Sequence, residues 1–319
     1  MQSGGTASVP LEIAEQGGGN DAIAGLAAAI AIAGEGADGD ALRGASLETV
    51  YAAYRDEDGE LTSMPRMIED GVTLPEGGIL AAAETPDGFA DVPLITGTNR
   101  DEMKLYTVFD PRLTRRLGPL VWPKGEDRYE AAVEYPSRIW RYNAVDGLLN
   151  RLAANGRSNL WAYRFDWDEG GSVLVTDTSV LLGASHAMEI PFVFNHFELF
   201  GSFDSVLFND RNEVGRLELA DTMGAYWARF AASGEPGDGI GMGPDWPQWT
   251  DTGAALRFDT LDDGGTEVFS RTESPLAIAS DLAGDERIDD ETRCRIARGI
   301  VGRQPSLADA FQAAMTCEP

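Results

Sequence analysis

Val92-Pro93-Leu94-Ile95-Thr96-Gly97-Thr98-Asn99-Arg100-Asp101-Glu102 decides the architecture. Val92 to Thr96 is a short apolar run bounded by turn formers, which reads as a buried strand. Gly97 to Glu102 is polar and ends on adjacent carboxylates. In open α/β sheets, functional side chains sit on loops that follow strands, at the carboxyl edge. Leu160-Trp161-Ala162-Tyr163-Arg164-Phe165 reads as a second strand, rich in aromatics. Helical patterns alternate with these runs. Asn20 or Asp21 can cap a helix to about Ala33, closed by Gly34 and Gly36. Ser46 starts a short helix to about Arg55. Ser137 to Ala154 places Ile139, Tyr142, Val145, Leu148, Leu149 and Leu152 on one stripe. Glu213 to Ser233 is a long helix carrying Leu217, Trp227 and Phe230, stopped by Gly234 with Pro236 beyond. Glu286–Gly299 and Ser306–Met315 are two further helices, and Met64 to Phe89 reads as loop. The alternation predicts an α/β architecture with a mainly parallel sheet and flanking helices.

Bulk properties narrow the function. The 319 residues suit one large domain or two ordinary ones, and 43% hydrophobic residues supply a substantial core. The net charge is −28, from 53 acidic against 25 basic residues. Phosphate contacts need clusters of Lys and Arg, so the charge argues against a nucleic-acid partner and against an anionic membrane surface. The acid is spread along the chain, which reads as a solvated surface rather than a site. No apolar run is long enough to span a membrane, and Met1 opens no signal-peptide pattern. The cysteines, Cys294 and Cys317, lack the number and the histidine company of a zinc site. Two free thiols and one disulfide remain equal readings. Nothing calls for a metal or a cofactor.

Acid–base chemistry near neutral pH most often uses histidine, and the chain has two. His196 reads as a loop residue. His186 lies in Gly183-Ala184-Ser185-His186-Ala187-Met188-Glu189-Ile190-Pro191-Phe192-Val193-Phe194, a turn of small residues before an apolar run. A carboxylate upstream of a histidine fits the last two places of the order Ser, acid, His. Glu102 and Asp101 are both candidates for the acid. A nucleophile should stand in a Gly-x-Ser-x-Gly elbow. The nearest match is Ser185, with Ala187 at the closing glycine, and a serine beside the histidine in sequence is not the usual arrangement. Ser3, Ser46, Ser158, Ser172 and Ser233 lack the full Gly-x-Ser-x-Gly pattern, and no His-Gly-Gly-Gly oxyanion loop is present. Trp140, Trp161, Phe192, Phe194 and Trp227 read as core.

Several of these stretches together resemble the type-B carboxylesterase family, which includes para-nitrobenzyl esterases and cholinesterases. Val92–Glu102 is similar to the segment carrying the family's catalytic acid, which falls on Glu102. Gly183–Phe194 resembles the catalytic-histidine segment, with the histidine at His186. Leu160–Phe165, Tyr226–Ala231, Ser233–Pro236 and Trp246-Pro247 resemble its late strand, helix and loop. The resemblance runs from Met1 to about Thr250. Residues 273–319 match less clearly and read as a helical tail.

The resemblance implies an α/β-hydrolase fold and ester hydrolysis through an acyl-enzyme, with His186 as general base and Glu102 as its orienting acid. Met-Gln-Ser-Gly at the start is similar to a strand that follows the family's nucleophile elbow. The chain therefore reads as a C-terminal part, 1–319 being a partial domain whose elbow, oxyanion loop and N-terminal half of the sheet are missing. An exposed strand edge and apolar patch are expected near Met1–Gly4 and Val92–Thr96. Activity from the chain alone is not expected. The implied partners are a small-molecule ester and, for the complete enzyme, a separate N-terminal half. The rival reading is a non-catalytic cholinesterase-like binding or adhesion module, or a gene relic. Full-length relatives are often exported, which implies a periplasmic or secreted place for the complete protein, but the sequence itself names no compartment.

Overall fold

The computed structural model describes residues 1–17, 25–55 and 67–317. These divide into two compact units, Met1–Gly5 with Ala90–Pro319, and Thr6–Phe89.

The larger unit is built on a four-stranded sheet of β1 (Leu94–Asn99), β2 (Leu160–Phe165), β3 (Ala254–Phe258) and β4 (Glu267–Ser270), in spatial order β4-β3-β2-β1. β1 and β2 pair in parallel from Leu94↔Leu160 to Asn99↔Phe165, and β2 pairs in parallel with β3. β3 and β4 are antiparallel, so the sheet is mixed. Sequence reading found β1 and β2 and missed β3 and β4. β1 starts at Leu94 and takes in Gly97-Thr98-Asn99, which had looked like loop because polar residues fill its buried end.

β1 is the sheet's edge strand. Its outer side carries one isolated bridge, Gln2↔Gly97, and a hydrogen bond of 2.5 Å from the Met1 amino group to Ile95 O. Among the described residues the edge is thus largely unpaired, as expected. The apolar patch is small: Val92 is 62% exposed, whereas Ile95 to Asn99 are buried.

One core cluster covers the side-chain face of Trp161, Tyr163 and Phe165. It joins them to Leu219, Ala220, Met223 and Tyr226 of a long helix, and to Phe192, Trp246 and Phe258. That helix spans Glu213–Ser233, as its stop signals require: Gly234 takes φ +78°, and its N–H donates to Phe230 O at 2.7 Å. Its buried stripe differs from the expected one, since Leu217 faces solvent.

A second core cluster joins α1 (Glu126–Arg141), through Ala131, Tyr135 and Ile139, to the C-terminal helices Pro275–Ala283, Asp290–Arg303 and Ala308–Ala314. The tail after residue 273 is therefore part of the main unit's core. Cys294 and Cys317 form a disulfide that fastens its end. α1 starts well before Ser137 and carries Pro136 within it. Tyr129 and Val133 pack into a third cluster, on other residues than Ala131 and Tyr135 do. A helix buried on two sides shows no single apolar stripe, which is why its first half was unreadable. It passes into a π-helical turn, Tyr142–Asp146, and then the helix Gly147–Ala154. The helix expected at Glu286–Gly299 begins at Asp290, because the Asp289 side chain accepts from Thr292 N at 2.8 Å and caps it.

The unit Thr6–Phe89 has a parallel pair, Ser8–Pro10 with Met67–Glu69, and helices Leu11–Gln16, Gly25–Ala33, Gly39–Arg43, Leu47–Ala52 and Gly78–Ala82. Ser46 caps its helix by accepting from Thr49 N at 3.1 Å. Asn20 and Asp21 lie outside the described residues. Met67–Glu69 and Gly78–Ala82 fall in a stretch that had read as loop. Among the described residues no helix is long and apolar enough to cross a membrane, and no group of His, Cys, Asp or Glu is placed to hold a metal ion.

Candidate active site

The turn after β1 carries Arg100, Asp101 and Glu102. Glu102 is fully buried, and its Oε1 accepts from the N–H of Asn99, the last residue of β1, at 2.7 Å. Its Oε2 lies 2.7 Å from His186 Nδ1. The imidazole is partly exposed, at 24% of its side chain, and among the described residues nothing hydrogen-bonds its Nε2. Glu102 and His186, named from sequence, are thus brought into direct contact.

Asp101 has a different job. Its N–H donates to Ala184 O at 2.9 Å, and its Oδ2 accepts from Ala184 N at 3.2 Å and from Arg100 Nη2 at 3.0 Å. It straps the two loops together. The close approach requires Gly183, where a Cβ would stand 2.5 Å from Asp101 Oδ2 and φ is +48°. His186 N completes the strap, donating to Glu102 O at 3.4 Å.

Burial pushes the Glu102 carboxyl above the ordinary carboxylate range, against the lowering effect of its bonds to His186 and Asn99. Burial pushes the His186 imidazole down, but the bond to Glu102 and the charges of Glu102 and Glu189 outweigh it, so its pKa lies above the ordinary value. The two groups titrate as a pair.

Sequence reading missed the layer behind this pair. Glu189 is fully buried; its Oε1 accepts from Ser3 Oγ and its Oε2 from Asn99 Nδ2, each at 2.6 Å. Asn99 Nδ2 also donates to Ser185 O at 2.6 Å, and Ser3 N donates to Tyr163 Oη at 3.1 Å. Burial and the Glu189 charge hold the Tyr163 phenol protonated. A carboxylate inside the apolar run Ala187–Phe194 was the available signal, since a buried charge must find partners. Ser3 and Ala187 both hold positive φ, 36° and 67°, so backbone strain gathers around the histidine loop.

Two aromatics flank the imidazole. Tyr106 and Trp140 have ring centroids 5.6 and 5.0 Å from His186 and 6.0 Å from each other. Trp140 had read as core; it is half-buried and packs on the histidine. Trp161 and Phe192 are core, Trp227 packs against the core, and Phe194 is 69% exposed. His196 is an exposed loop residue.

Ser185 does not reach the histidine. It is fully buried, and its Oγ makes no hydrogen bond. Ser3 Oγ is engaged by Glu189. Both cysteines are in the disulfide. The arrangement can therefore orient an imidazole and accept a proton at Nε2, but among the described residues no hydroxyl or thiol bonds to it.

No family model matches the chain. Among solved structures it is similar to the carboxylesterase EST55 of Geobacillus stearothermophilus, at 25% identity and a TM-score of 0.45, over 73% of this chain and 47% of that one. A PNB esterase is 19% identical with a TM-score of 0.42, over 85% of this chain and 54% of that one. Aspergillus niger EstA is 17% identical with a TM-score of 0.44, over 79% and 53%. The chain spans about half the length of these proteins.

Proposed function

We propose that this chain supplies the acid and base of a carboxylic-ester hydrolase of the type-B carboxylesterase kind. Supporting this is the 2.7 Å contact between the fully buried Glu102 and Nδ1 of His186, which leaves Nε2 without a partner among the described residues. In the reaction, Nε2 takes the proton of a serine hydroxyl as that oxygen attacks the ester carbonyl. The same proton is then given to the leaving alcohol, and water repeats the cycle to release the acid. Glu102 keeps the proton on Nδ1 and stabilises the imidazolium. The serine and the oxyanion donors come, in this reading, from polypeptide outside these residues, because Ser185 Oγ is sealed in. Small-molecule esters are the proposed substrates.

The test is hydrolysis of a para-nitrophenyl ester by the chain alone, and by the chain co-expressed with the N-terminal half of a type-B carboxylesterase. Hydrolysis is expected only in the second case, and His186→Ala should abolish it. Hydrolysis by the chain alone that survives Ser185→Ala but needs His186 would place the nucleophile elsewhere in this sequence. No His186-dependent hydrolysis in either case would sink the esterase reading in favour of a non-catalytic module.

A further inference from the structure

Two β-hairpins stand side by side on the larger unit. The first pairs Thr114–Leu117 with Leu120–Pro123, and the second pairs Ser172–Val173 with Thr176–Asp177. Val121 N donates to Thr176 Oγ1 at 2.9 Å and joins them. Val121 is next to Leu120, where the first hairpin turns, and Thr176 is next to the loop Leu174-Val175 of the second. The two turns therefore lie close to one shared contact.

What they present is apolar. Leu117 is 69% exposed, Leu174 85% and Val175 58%. Phe109 is exposed too, and Arg116 ties it to the first turn: its guanidinium lies 5.7 Å over the Phe109 ring, and its Nε donates to Gly118 O at 2.8 Å. Leu174 is held at φ +55°. Two-residue hairpin loops with positive φ favour Gly, Asn or Asp. A leucine there strains the backbone and leaves its side chain in water, so it does nothing for the fold. Strain kept without a structural return points to a role outside the fold.

Charge around the turns departs from the rest of the chain. Pro111 to Gly125 carries Arg112, Arg115, Arg116 and Lys124 and no acid, and Gly170 to Thr176 carries no charge, in a chain of net −28. Among the described residues Arg115 and Arg116 form no ion pair. The flanking acids are engaged. Asp110 accepts from Arg112 Nε at 2.9 Å, Asp177 caps the next helix through Ser179 N at 3.0 Å, and Glu126 and Asp127 sit in the first turn of α1, which favours negative charge.

We infer that the paired turns dock the protein on a phospholipid surface with anionic headgroups. Leu117, Leu174, Val175 and Phe109 enter the interface, and Arg115 and Arg116 meet the phosphates. A few apolar side chains with cations behind them suffice for a lipid interface. A stable protein partner would cover about 800 Å² on this side, more than two hairpin turns offer. The bulk charge argues against an anionic surface. At physiological ionic strength, however, exposed charges more than about 8 Å apart are largely screened, so distant acids count for little at the turns.

The experiment is flotation of the full chain with vesicles of equal parts phosphatidylcholine and phosphatidylglycerol. The wild type should float with the vesicles. Leu117→Gln/Leu174→Asn should weaken partitioning about tenfold or more, since two exposed leucines lose their burial in lipid. The same variant should keep or raise the urea midpoint, because asparagine tolerates the positive φ at 174. Arg115→Gln/Arg116→Gln should weaken partitioning severalfold. No flotation of the wild type, or flotation that either variant keeps in full, overturns the inference. So does self-association of the wild type that the leucine variant abolishes without any flotation, which would make the turns a contact between copies of this chain.

Discussion

Glu102 Oε2 and His186 Nδ1 meet at 2.7 Å across 84 residues of sequence. The bond favours the protonated imidazole, so the folded-state pKa of His186 is raised. Glu102→Gln keeps the size and removes the charge. The His186 pKa should then fall, read by NMR titration with His196→Asn clearing the second signal. The sign carries over to stability. A raised histidine pKa contributes stability below its unfolded value, and loses it as pH rises through the folded value. Glu102→Gln should therefore lower stability more at pH 5 than at pH 8, as far as His186 is concerned. An unchanged or higher His186 pKa in the variant would mean that the carboxylate is not what orients the ring.

Ser185 lies next to His186 in sequence, yet its hydroxyl is buried without a partner among the described residues. Removing an unsatisfied hydroxyl forfeits no hydrogen bond. Ser185→Ala should change unfolding free energy by less than about 1 kcal/mol, or raise it, in urea denaturation. Hydrolysis by the complemented enzyme should survive the substitution. A complete loss with folding intact would make Ser185 the nucleophile.

Gly97 sits in β1 where the Tyr163 ring of β2 crosses over it. A Cβ there would lie 2.1 Å from Tyr163 Cδ1. Tyr163 cannot move away freely, because its hydroxyl accepts from Ser3 N and its ring packs on Trp227. Gly97→Ala should cost about 1–3 kcal/mol by overpacking, measured as a lower urea midpoint. It should also disturb His186, since Asn99 two residues on supports both Glu102 and Glu189. Wild-type stability in the variant would show that the strands can spread.

The candidate site was partly legible in sequence, where one residue type has few uses. His186 stood out because histidines are scarce, while the place after a strand offered Glu102 and Asp101 alike, and only the resemblance to type-B carboxylesterases favoured Glu102. From the residues alone Asp101 is separable only in three dimensions, since its strap to Ala184 leaves no sequence mark. Ser3, Asn99 and Glu189 stayed hidden because their roles arise from contacts between distant segments. The same holds for the fold. β2 and the helix ending at Ser233 were read correctly from aromatic content and a glycine stop. β4, with three of its four residues exposed and paired on one side only, offers no long apolar run. α1 was half-read because burial on two sides erases the stripe that reveals a helix.

The disulfide between Cys294 and Cys317 closes a loop across a sequence separation of 23 around the last helix, Ala308–Ala314. Phe311 and Leu307 hold that helix from inside, and the disulfide holds its outer end. Cross-linking a loop of this length stabilises by about 3 kcal/mol, mainly by restricting the unfolded chain. Cys294→Ser/Cys317→Ser should therefore lower the unfolding free energy by about that amount. The native protein should show no titratable thiol before reduction. Because Ile278 and Ile300 share a cluster with Ile139 of α1, hydrogen exchange should quicken first in residues 305–317 and next along α1, while β2 stays protected. Two free thiols in the oxidised, folded protein, or unchanged exchange in the tail of the double variant, would show that apolar packing alone holds the C-terminal helices.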